Sequence, residues 1–222
     1  MRNRIETLSK ERSRQGLYEF LGEQFGKFGK DKSVITVGAG GEVSDLLFEY
    51  AGDNKFDITT FDINPERNPD ILGDFCEYDF GQKRYDYVVL SEVLQFFRNP
   101  QKGIENAYKI LNPGGQIILT TPFVFPIHDR PYDLYRFTKY GLEYLLSNFE
   151  DIKIEEKNSA LEAIDVLWMR FYRMGGKHTY FLKRIIIYSR YYVHRPITKF
   201  LMKFIRTDMM TTGYHVVATK PL

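Results

Sequence analysis

Cysteine is nearly absent from this chain of 222 residues, in which Cys76 is the single example. One cysteine cannot form an internal disulfide, and it supplies no cluster of the kind that holds a structural metal ion. Chains without disulfides are typical of reducing compartments. We therefore expect a cytoplasmic protein whose chemistry needs no metal ion.

Long hydrophobic runs are also absent. The longest stretch without a charged side chain spans residues 110–128, and it contains three prolines and two glycines. Such a stretch does not form a membrane-spanning helix. Charged residues follow Met1 closely, so the start of the sequence does not resemble a signal peptide.

Acidic side chains are missing from one block only. Residues 166–207 carry ten Lys and Arg and no Asp or Glu, whereas residues 1–165 carry 20 Lys and Arg against 28 Asp and Glu. The body is therefore net acidic by eight charges and the block is net basic by ten. Blocks of one sign usually face a partner of the other sign.

What the sequence does contain is a β-branched run that leads into glycines. Residues 33–37 read as a strand, Gly38, Gly40 and Gly41 as a turn, and the residues from Glu42 as a helix. Glycines at such a turn let a ligand approach the main-chain N–H groups at the helix start. The turn therefore suits a nucleotide-like cofactor, although a simple corner in the chain has the same pattern.

A carboxylate follows the second predicted strand, residues 56–61. Asp62 lies about twenty residues after the glycines, where nucleotide-binding sheets place an acceptor for the ribose hydroxyls. The alternative is that Asp62 only opens an Asx turn with Asn64 and Pro65. The glycine turn and Asp62 together favour the ribose role.

Strands and helices alternate through the rest of the chain, which predicts an α/β fold with a doubly wound parallel sheet. An amphipathic helix at 5–28 packs on the core or covers a ligand site. Thr138 caps a later helix. The other predicted elements are strands at 70–72, 85–90, 116–121 and 152–156 and helices at 42–50, 103–111 and 138–149, with a helix-ending turn at 112–115.

This order of motifs resembles the class I (Rossmann-like) S-adenosylmethionine-dependent methyltransferases over residues 30–125. The resemblance implies a seven-stranded, mostly parallel sheet of order 3-2-1-4-5-7-6 with an antiparallel last strand at 213–219. The matching pieces are Val37-Gly38-Ala39-Gly40-Gly41, Asp62, Gly73-Asp74-Phe75, Tyr85-Asp86-Tyr87-Val88-Val89 and Leu111-Asn112-Pro113-Gly114-Gly115.

The resemblance also implies S-adenosyl-L-methionine as the cofactor, bound across the carboxyl ends of strands one to four. The glycine turn would face the methionine moiety, the residues after strand two the ribose, the third loop the adenine and the end of strand four the sulfonium. Carried over by position, the cofactor-binding residues are Gly38, Ala39, Gly40, Asp62, Ile63, Asp74, Phe75, Ser91 and Glu92.

Two sequence features distinguish this chain from dinucleotide-binding dehydrogenases and from many small-molecule methyltransferases. Dinucleotide-binding dehydrogenases would need a glycine where Val43 stands. Many small-molecule methyltransferases carry Glu-His where this chain has Gln95-Phe96, so any catalytic base must come from elsewhere.

The polar loop after the fifth strand is the best source of such a base. Its His-x-x-Pro-x-Asp-x-x-Arg-Phe-Thr pattern is similar to that of type 11-like methyltransferases, several of which are associated with surface-glycan biosynthesis. His128 could accept a hydroxyl proton, Asp129 or Asp133 could orient it, and Tyr135 or Arg136 could hold the acceptor. The alternative is a structural network of His128, Asp133 and Arg136 that pins the loop.

We expect a single domain over 1–222, with an N-terminal helical segment at 1–29 and a basic, aromatic helical insertion at 158–210. Acid-free basic and aromatic helices suit an anionic membrane surface or a lipid-linked substrate. A nucleic-acid backbone is a weaker possibility. The block could also be a substrate lid or an interface between subunits, and the oligomeric state stays open.

The leading hypothesis is O-methylation of a sugar hydroxyl in a glycan or lipid-linked glycan precursor. Such an enzyme would be cytoplasmic and could be peripheral at the inner membrane surface. Alternatives are a small-metabolite, protein or RNA acceptor, or a non-catalytic methyltransferase-like binding module.

Overall fold

The computed structural model of the protein describes residues 14, 16–174, 185–186, 188–201, 204 and 207–222. The first part of the helix predicted at 5–28 lies outside these residues, as does part of the basic block.

A seven-stranded sheet of order β3-β2-β1-β4-β5-β7-β6 forms the centre of the fold. Strands β1 to β5 run parallel to one another, whereas β7 is antiparallel to both of its neighbours, β5 and β6. The predicted fold and strand order are therefore confirmed. The strands are β1 (Ser33–Val37), β2 (Asp57–Asp62), β3 (Ile71–Leu72), β4 (Tyr85–Ser91), β5 (Leu111–Pro122), β6 (Glu150–Glu156) and β7 (Gly213–Thr219).

Helices cover both faces of the sheet. On one face, α1 and α2 bury Leu21, Phe25 and Leu47 against β1, β4 and β5. On the other, α3 and α4 bury Ile104 and Leu142. The described helices are α1 (Leu17–Phe25), α2 (Glu42–Asn54), α3 (Pro100–Ile110), α4 (Lys139–Leu145), α5 (Ala160–Met174) and α6 (Arg195–Leu201).

The prediction of a helix-ending turn at 112–115 is wrong. Helix α3 already ends at Ile110, and Leu111 is extended and pairs with Tyr85, so β5 begins there. Gly114, at φ +75°, forms part of an irregularity inside the strand and donates its N–H to the carbonyl of Lys220 at 3.0 Å. The register shift between the Leu111 and Gln116 pairings lets the glycine pair lie within the strand instead of turning the chain.

Other boundaries differ by a few residues. Helix α3 starts at Pro100 instead of 103 because the Asn99 side chain caps it and proline is favoured in the first helical position. Helix α4 ends at Leu145, four residues before the predicted end, but its cap is the predicted one: the Thr138 hydroxyl accepts the Gly141 N–H at 3.1 Å.

The regular elements that the structure describes between β6 and β7 are all helical. Helix α5 follows β6, and a π-helical turn, Arg190–His194, leads directly into α6. Within the described residues, no helix has the length and apolar character needed to cross a membrane.

Candidate active site

The glycine turn after β1 has no room for a side chain at Gly38. Gly38 lies at φ +90°, and a Cβ there would stand 2.6 Å from Val93 Cγ1. Gly40 and Gly41 also have positive φ, at +85° and +76°. No side chain caps the start of α2, so its first N–H groups remain available to a ligand at the carboxyl end of β1.

Asp62 lies at the end of β2 beside this turn. Its Oδ1 accepts the Asn64 N–H at 2.8 Å, so the Asx turn that was the alternative interpretation does form. That turn occupies one carboxylate oxygen, and Oδ2 lies 3.6 Å from Arg67 Nε. Arg67 Nη1 also donates to the Ala39 carbonyl at 2.7 Å, which links Asp62 to the glycine turn across a single side chain. Ile63 next to Asp62 is 69% exposed.

The loop after β3 contributes one polar and one buried residue. Asp74 is exposed and its Oδ1 accepts the Cys76 N–H at 2.9 Å, which shapes the turn. Phe75 is 3% exposed, and its ring packs between Phe61 and Phe97 in the core. The Phe75 ring therefore leaves little surface for a ligand.

The end of β4 places a carboxylate in a strained position. Glu92 has φ +54°, and its N–H donates to the carbonyl of Thr120 at 2.9 Å. Ser91 Oγ lies 3.1 Å from Thr120 Oγ1. Glu92 Oε1 lies 3.4 Å from the Nζ of Lys157, whose side chain is 7% exposed. Strained non-glycine residues cluster at functional sites, and here the strain turns a carboxylate toward a buried ammonium.

A row of polar side chains crosses the sheet at this level. Ser91 pairs with Thr120, and Thr120 pairs with His215 of β7. Burial and the nearby charge of Lys157 lower the pKa of His215 to about 3, so this imidazole is neutral at pH 7. Its Nε2 has no hydrogen-bond partner in the described part of the chain. The Phe20 ring of α1 stacks on it at a centroid distance of 4.4 Å.

His128 lies at the same edge of the sheet. Its ring packs edge-on against Phe96, just after β4, and against Phe125, each at a centroid distance of 5.7 Å. The ring nitrogen Nδ1 lies 3.2 Å from Asp133 Oδ2, which is a close ion-pair distance without hydrogen-bond geometry. The main-chain N–H of His128 donates to the same oxygen at 2.9 Å. Arg136 binds the Asp133 carboxylate at 2.5 and 2.6 Å.

These contacts decide the charge of Asp133. Burial opposes its ionisation, but the hydrogen bonds from Arg136 and from the His128 N–H outweigh burial and lower the pKa of Asp133 below its ordinary value. A fixed carboxylate thus faces one ring nitrogen of His128 and leaves the other for a different partner.

Asp129 is exposed to solvent, whereas Gln95 is buried. The Asp129 side chain is 71% exposed, and its Oδ2 is 3.8 Å from His128 Nε2. Gln95 is fully buried, and its Nε2 donates to the Glu92 carbonyl at 2.6 Å. The main-chain carbonyl of Gln95 accepts the N–H groups of Leu134 and Tyr135. Gln95 therefore ties the loop to the end of β4.

A family model described as a methyltransferase domain matches residues 6–160. This chain belongs to that methyltransferase family. The predicted resemblance to class I methyltransferases is confirmed at the level of family and fold.

Known proteins that are similar to this methyltransferase include the following three. Phosphoethanolamine N-methyltransferase 2 of Haemonchus contortus, solved with S-adenosyl-L-methionine, aligns with a TM-score of 0.58 and 16% identity over 94% of this chain and 53% of its own. The [4+2]-cyclase SpnF aligns with a TM-score of 0.61 and 16% identity over 93% of this chain and 81% of its own. A probable polyketide synthase 10 of Dictyostelium discoideum is 27% identical over 54% of this chain and 5% of its own length.

These lengths limit what the likeness shows. The methyltransferase spans about half of the nematode protein and a small part of the polyketide synthase. A cyclase and an N-methyltransferase share the fold, so the acceptor has to be argued from this site.

Sequence reasoning missed four side chains of the methyltransferase site. Arg67 follows a turn that shows no motif, and Phe20 was assigned only to a helix. Lys157 and His215 reach the site because β7 runs antiparallel between β5 and β6. Pairing the predicted last strand with the fifth would have placed His215 beside Thr120.

The N-terminal helix is both a core helix and a wall of this site. Arg14 and Tyr18 both donate to the carboxylate of Glu42, in the first turn of α2. Leu21 and Phe25 of the same helix are fully buried. Helix α1 therefore contacts both the start of α2 and His215 while it packs on the sheet.

Proposed function

We propose that this methyltransferase transfers the methyl group of S-adenosyl-L-methionine to a hydroxyl oxygen of a sugar, in a glycan or a lipid-linked glycan precursor. The observation that carries the proposal is the Asp133–His128 pair at the edge of the sheet where β4 and β5 end. A hydroxyl is a weak nucleophile until a base takes its proton, whereas a neutral amine already has a free electron pair. An imidazole next to a fixed carboxylate meets the need of a hydroxyl acceptor.

The glycine turn and Asp62 fit the cofactor. Gly38 could not carry a Cβ, and the uncapped start of α2 offers N–H groups to the methionine carboxylate. In our proposal, Asp62 Oδ2 accepts the ribose hydroxyls while Oδ1 keeps its turn. Bound there, S-adenosyl-L-methionine supplies an electrophilic methyl group. Ser91 and Glu92 then line the sulfonium end, and Asp74 lies toward the adenine.

The chain's own residues handle the acceptor proton. As the acceptor oxygen takes the methyl group that the cofactor would supply, leaving S-adenosylhomocysteine, the hydroxyl proton would pass to His128 Nε2. Asp133 stabilises the imidazolium that results. Arg136 keeps Asp133 ionised and holds the loop through the carbonyls of Phe125 and Pro126, each at 3.4 Å. The structural interpretation of this network and the catalytic one are thus compatible.

Exposed rings beside His128 favour a sugar among hydroxyl acceptors. Tyr132 is 67% exposed and Tyr135 is 39% exposed, both in the same loop. Large exposed apolar surfaces often mark ligand-binding grooves, and aromatic faces suit the C–H faces of a sugar ring.

A comparison of acceptors tests the proposal. Release of S-adenosylhomocysteine is measured with a panel of sugar nucleotides and oligosaccharides, and with phosphoethanolamine as an amine acceptor. We expect turnover with at least one sugar and none above background with the amine. Turnover with the amine alone would overturn the assignment of a hydroxyl acceptor.

A further inference from the structure

The segment that precedes β7 exposes an apolar stripe at helical spacing. The members of the stripe lie in the π-helical turn, in α6 and at residue 204. Its members are Val193 (56% exposed), Ile197 (51%), Phe200 (59%), Leu201 (41%) and Phe204 (72%). Ile197, Phe200 and Leu201 share one face of α6, because residues spaced by three and four positions do so, and in a soluble helix that face is normally buried.

Among the described residues, the contacts of this segment do not cover the stripe. Arg190 lies 3.6 Å from Asp165 of α5, and its guanidinium lies over the Trp168 ring at 5.0 Å. These contacts attach the start of the segment to α5. The rings of Phe200 and Phe204 contact each other at a centroid distance of 5.3 Å, yet both stay more than half exposed.

Charge complements the stripe. Residues 166–207 hold ten Lys and Arg and no acidic residue. Arg195 and Lys199 alternate in sequence with the stripe residues of α6. An amphipathic helix with an apolar face and a basic polar face is the usual element that lies in the headgroup region of a bilayer. Each basic residue near an anionic surface adds about 1 kcal/mol of attraction.

We propose that residues 188–204 dock this protein on a membrane surface that contains anionic lipids, with the Val193–Phe204 stripe inserted at the headgroup level. The inference rests on exposed side chains and charge and does not depend on the proposed acceptor. Helix α5 begins three residues after Lys157, so the same helix joins the docking segment to the candidate site. A lipid-linked acceptor in the same membrane surface would therefore lie close to the candidate site.

Two other occupants fit the surface less well. A second copy in a two-fold dimer would bring the same acid-free block against itself, and ten like charges on each side would repel. Nucleic acid would satisfy the charges and could stack on the two Phe rings, but Val193, Ile197 and Leu201, three of the five stripe residues, are aliphatic and offer no platform for base stacking.

Vesicle flotation with the full chain tests the proposal. The vesicles are phosphatidylcholine alone, or phosphatidylcholine with about 30% phosphatidylglycerol as the anionic lipid. We expect the protein to float with the anionic vesicles only, and raising the salt to about 0.5 M to weaken binding. The variant Phe200→Glu/Phe204→Glu should bind the anionic vesicles at least about tenfold more weakly, because two buried rings are lost.

A matched control makes the same chemical change elsewhere. Tyr140 and Tyr144 of α4 are 72% and 77% exposed, so Tyr140→Glu/Tyr144→Glu adds the same two charges to another surface. This control should bind like the unaltered protein, and equal urea midpoints show that both variants fold.

Three results would overturn the proposal. They are equal flotation with and without anionic lipid, equal loss of binding in the two double variants, and a dimer by light scattering that Phe200→Glu/Phe204→Glu dissociates. The last result would make a second copy the occupant of the stripe. None of these measurements involves methyl transfer, so they separate this inference from the proposed function.

Discussion

Gly38 shows at the scale of one residue how tightly the proposed cofactor site is fitted. Gly38→Ala would put a methyl group 2.6 Å from Val93 Cγ1 on a backbone at φ +90°. We expect a loss of about 1–3 kcal/mol in the free energy of unfolding, from strain alone, and at least tenfold weaker binding of S-adenosyl-L-methionine. Urea unfolding and calorimetry measure the two effects.

The matched control for that change is Gly52→Ala. Gly52 lies inside α2, and a Cβ there would meet nothing within 4 Å. This change should raise the stability by about 0.5–1 kcal/mol and leave cofactor affinity unchanged. If the two substitutions had equal effects on stability and on cofactor affinity, the turn would have no special need for glycine at position 38.

His128 is the residue on which the proposed proton transfer depends. On the acceptor found by the turnover screen, His128→Gln should lower kcat by about 10²–10⁴-fold, because general-base catalysis contributes that much, while the cofactor Kd stays the same. The control is His194→Gln, at an exposed histidine outside the site. A normal kcat for His128→Gln would leave the Asp133 network with a structural role only.

His215 gives a pH dependence whose sign follows from its lowered pKa. The unfolded chain takes up a proton at this imidazole below about pH 6.5, but the folded protein does not until about pH 3. The stability is therefore complete above pH 6.5 and falls as the pH drops toward 3. Between pH 7 and pH 5, His215 alone should account for about 2 kcal/mol of lost stability.

Urea unfolding at pH 7 and pH 5 measures this loss. His215→Gln should remove most of the difference between the two pH values, whereas the exposed-site variant His194→Gln should keep it. An unchanged difference in His215→Gln would show that the imidazole is not buried in its neutral form.

At the scale of elements, Thr138 connects the polar loop to helix α4. Its hydroxyl accepts the Gly141 N–H and caps the helix. Thr138→Ala should cost about 1 kcal/mol of unfolding free energy, and Thr138→Ser should restore most of it because serine keeps the oxygen. Thermal unfolding of the two variants measures the difference, and equal stability would mean that the cap contributes nothing.

The elements also show what sequence reasoning can reach. The glycine turn, Asp62 and the strand of Val88 and Leu90 were predictable because each is a local pattern read within one element. The start of β5 at Leu111 was not, because a proline-glycine sequence that normally turns the chain is here held in the sheet by its bonds to Lys220. That partner lies more than a hundred residues away in the chain.

The acceptor side of the site was less predictable for the same reason. His128, Asp133 and Arg136 share one loop, so their spacing already indicated a network. Lys157 directly follows β6 and His215 lies in β7, and only the antiparallel register brings them to Glu92 and Thr120. No local pattern marks either residue as part of a site.

At the scale of the whole molecule, charge is divided between an acidic body and a basic block. In our account the body holds the methyl donor and the acceptor, and the block holds the protein at the surface where a lipid-linked acceptor would lie. The two parts make separate claims. The block can fail its vesicle test while the body still transfers a methyl group.

The most direct test of the central claim follows the methyl group itself. The protein is incubated with S-adenosyl-L-methionine that carries a deuterated methyl group, together with the sugar acceptors and with phosphoethanolamine, and the products are analysed by mass spectrometry. The account predicts a deuterated methyl ether on a sugar hydroxyl. A label found only on nitrogen, or a bound cofactor whose label is never transferred to any acceptor, would contradict it.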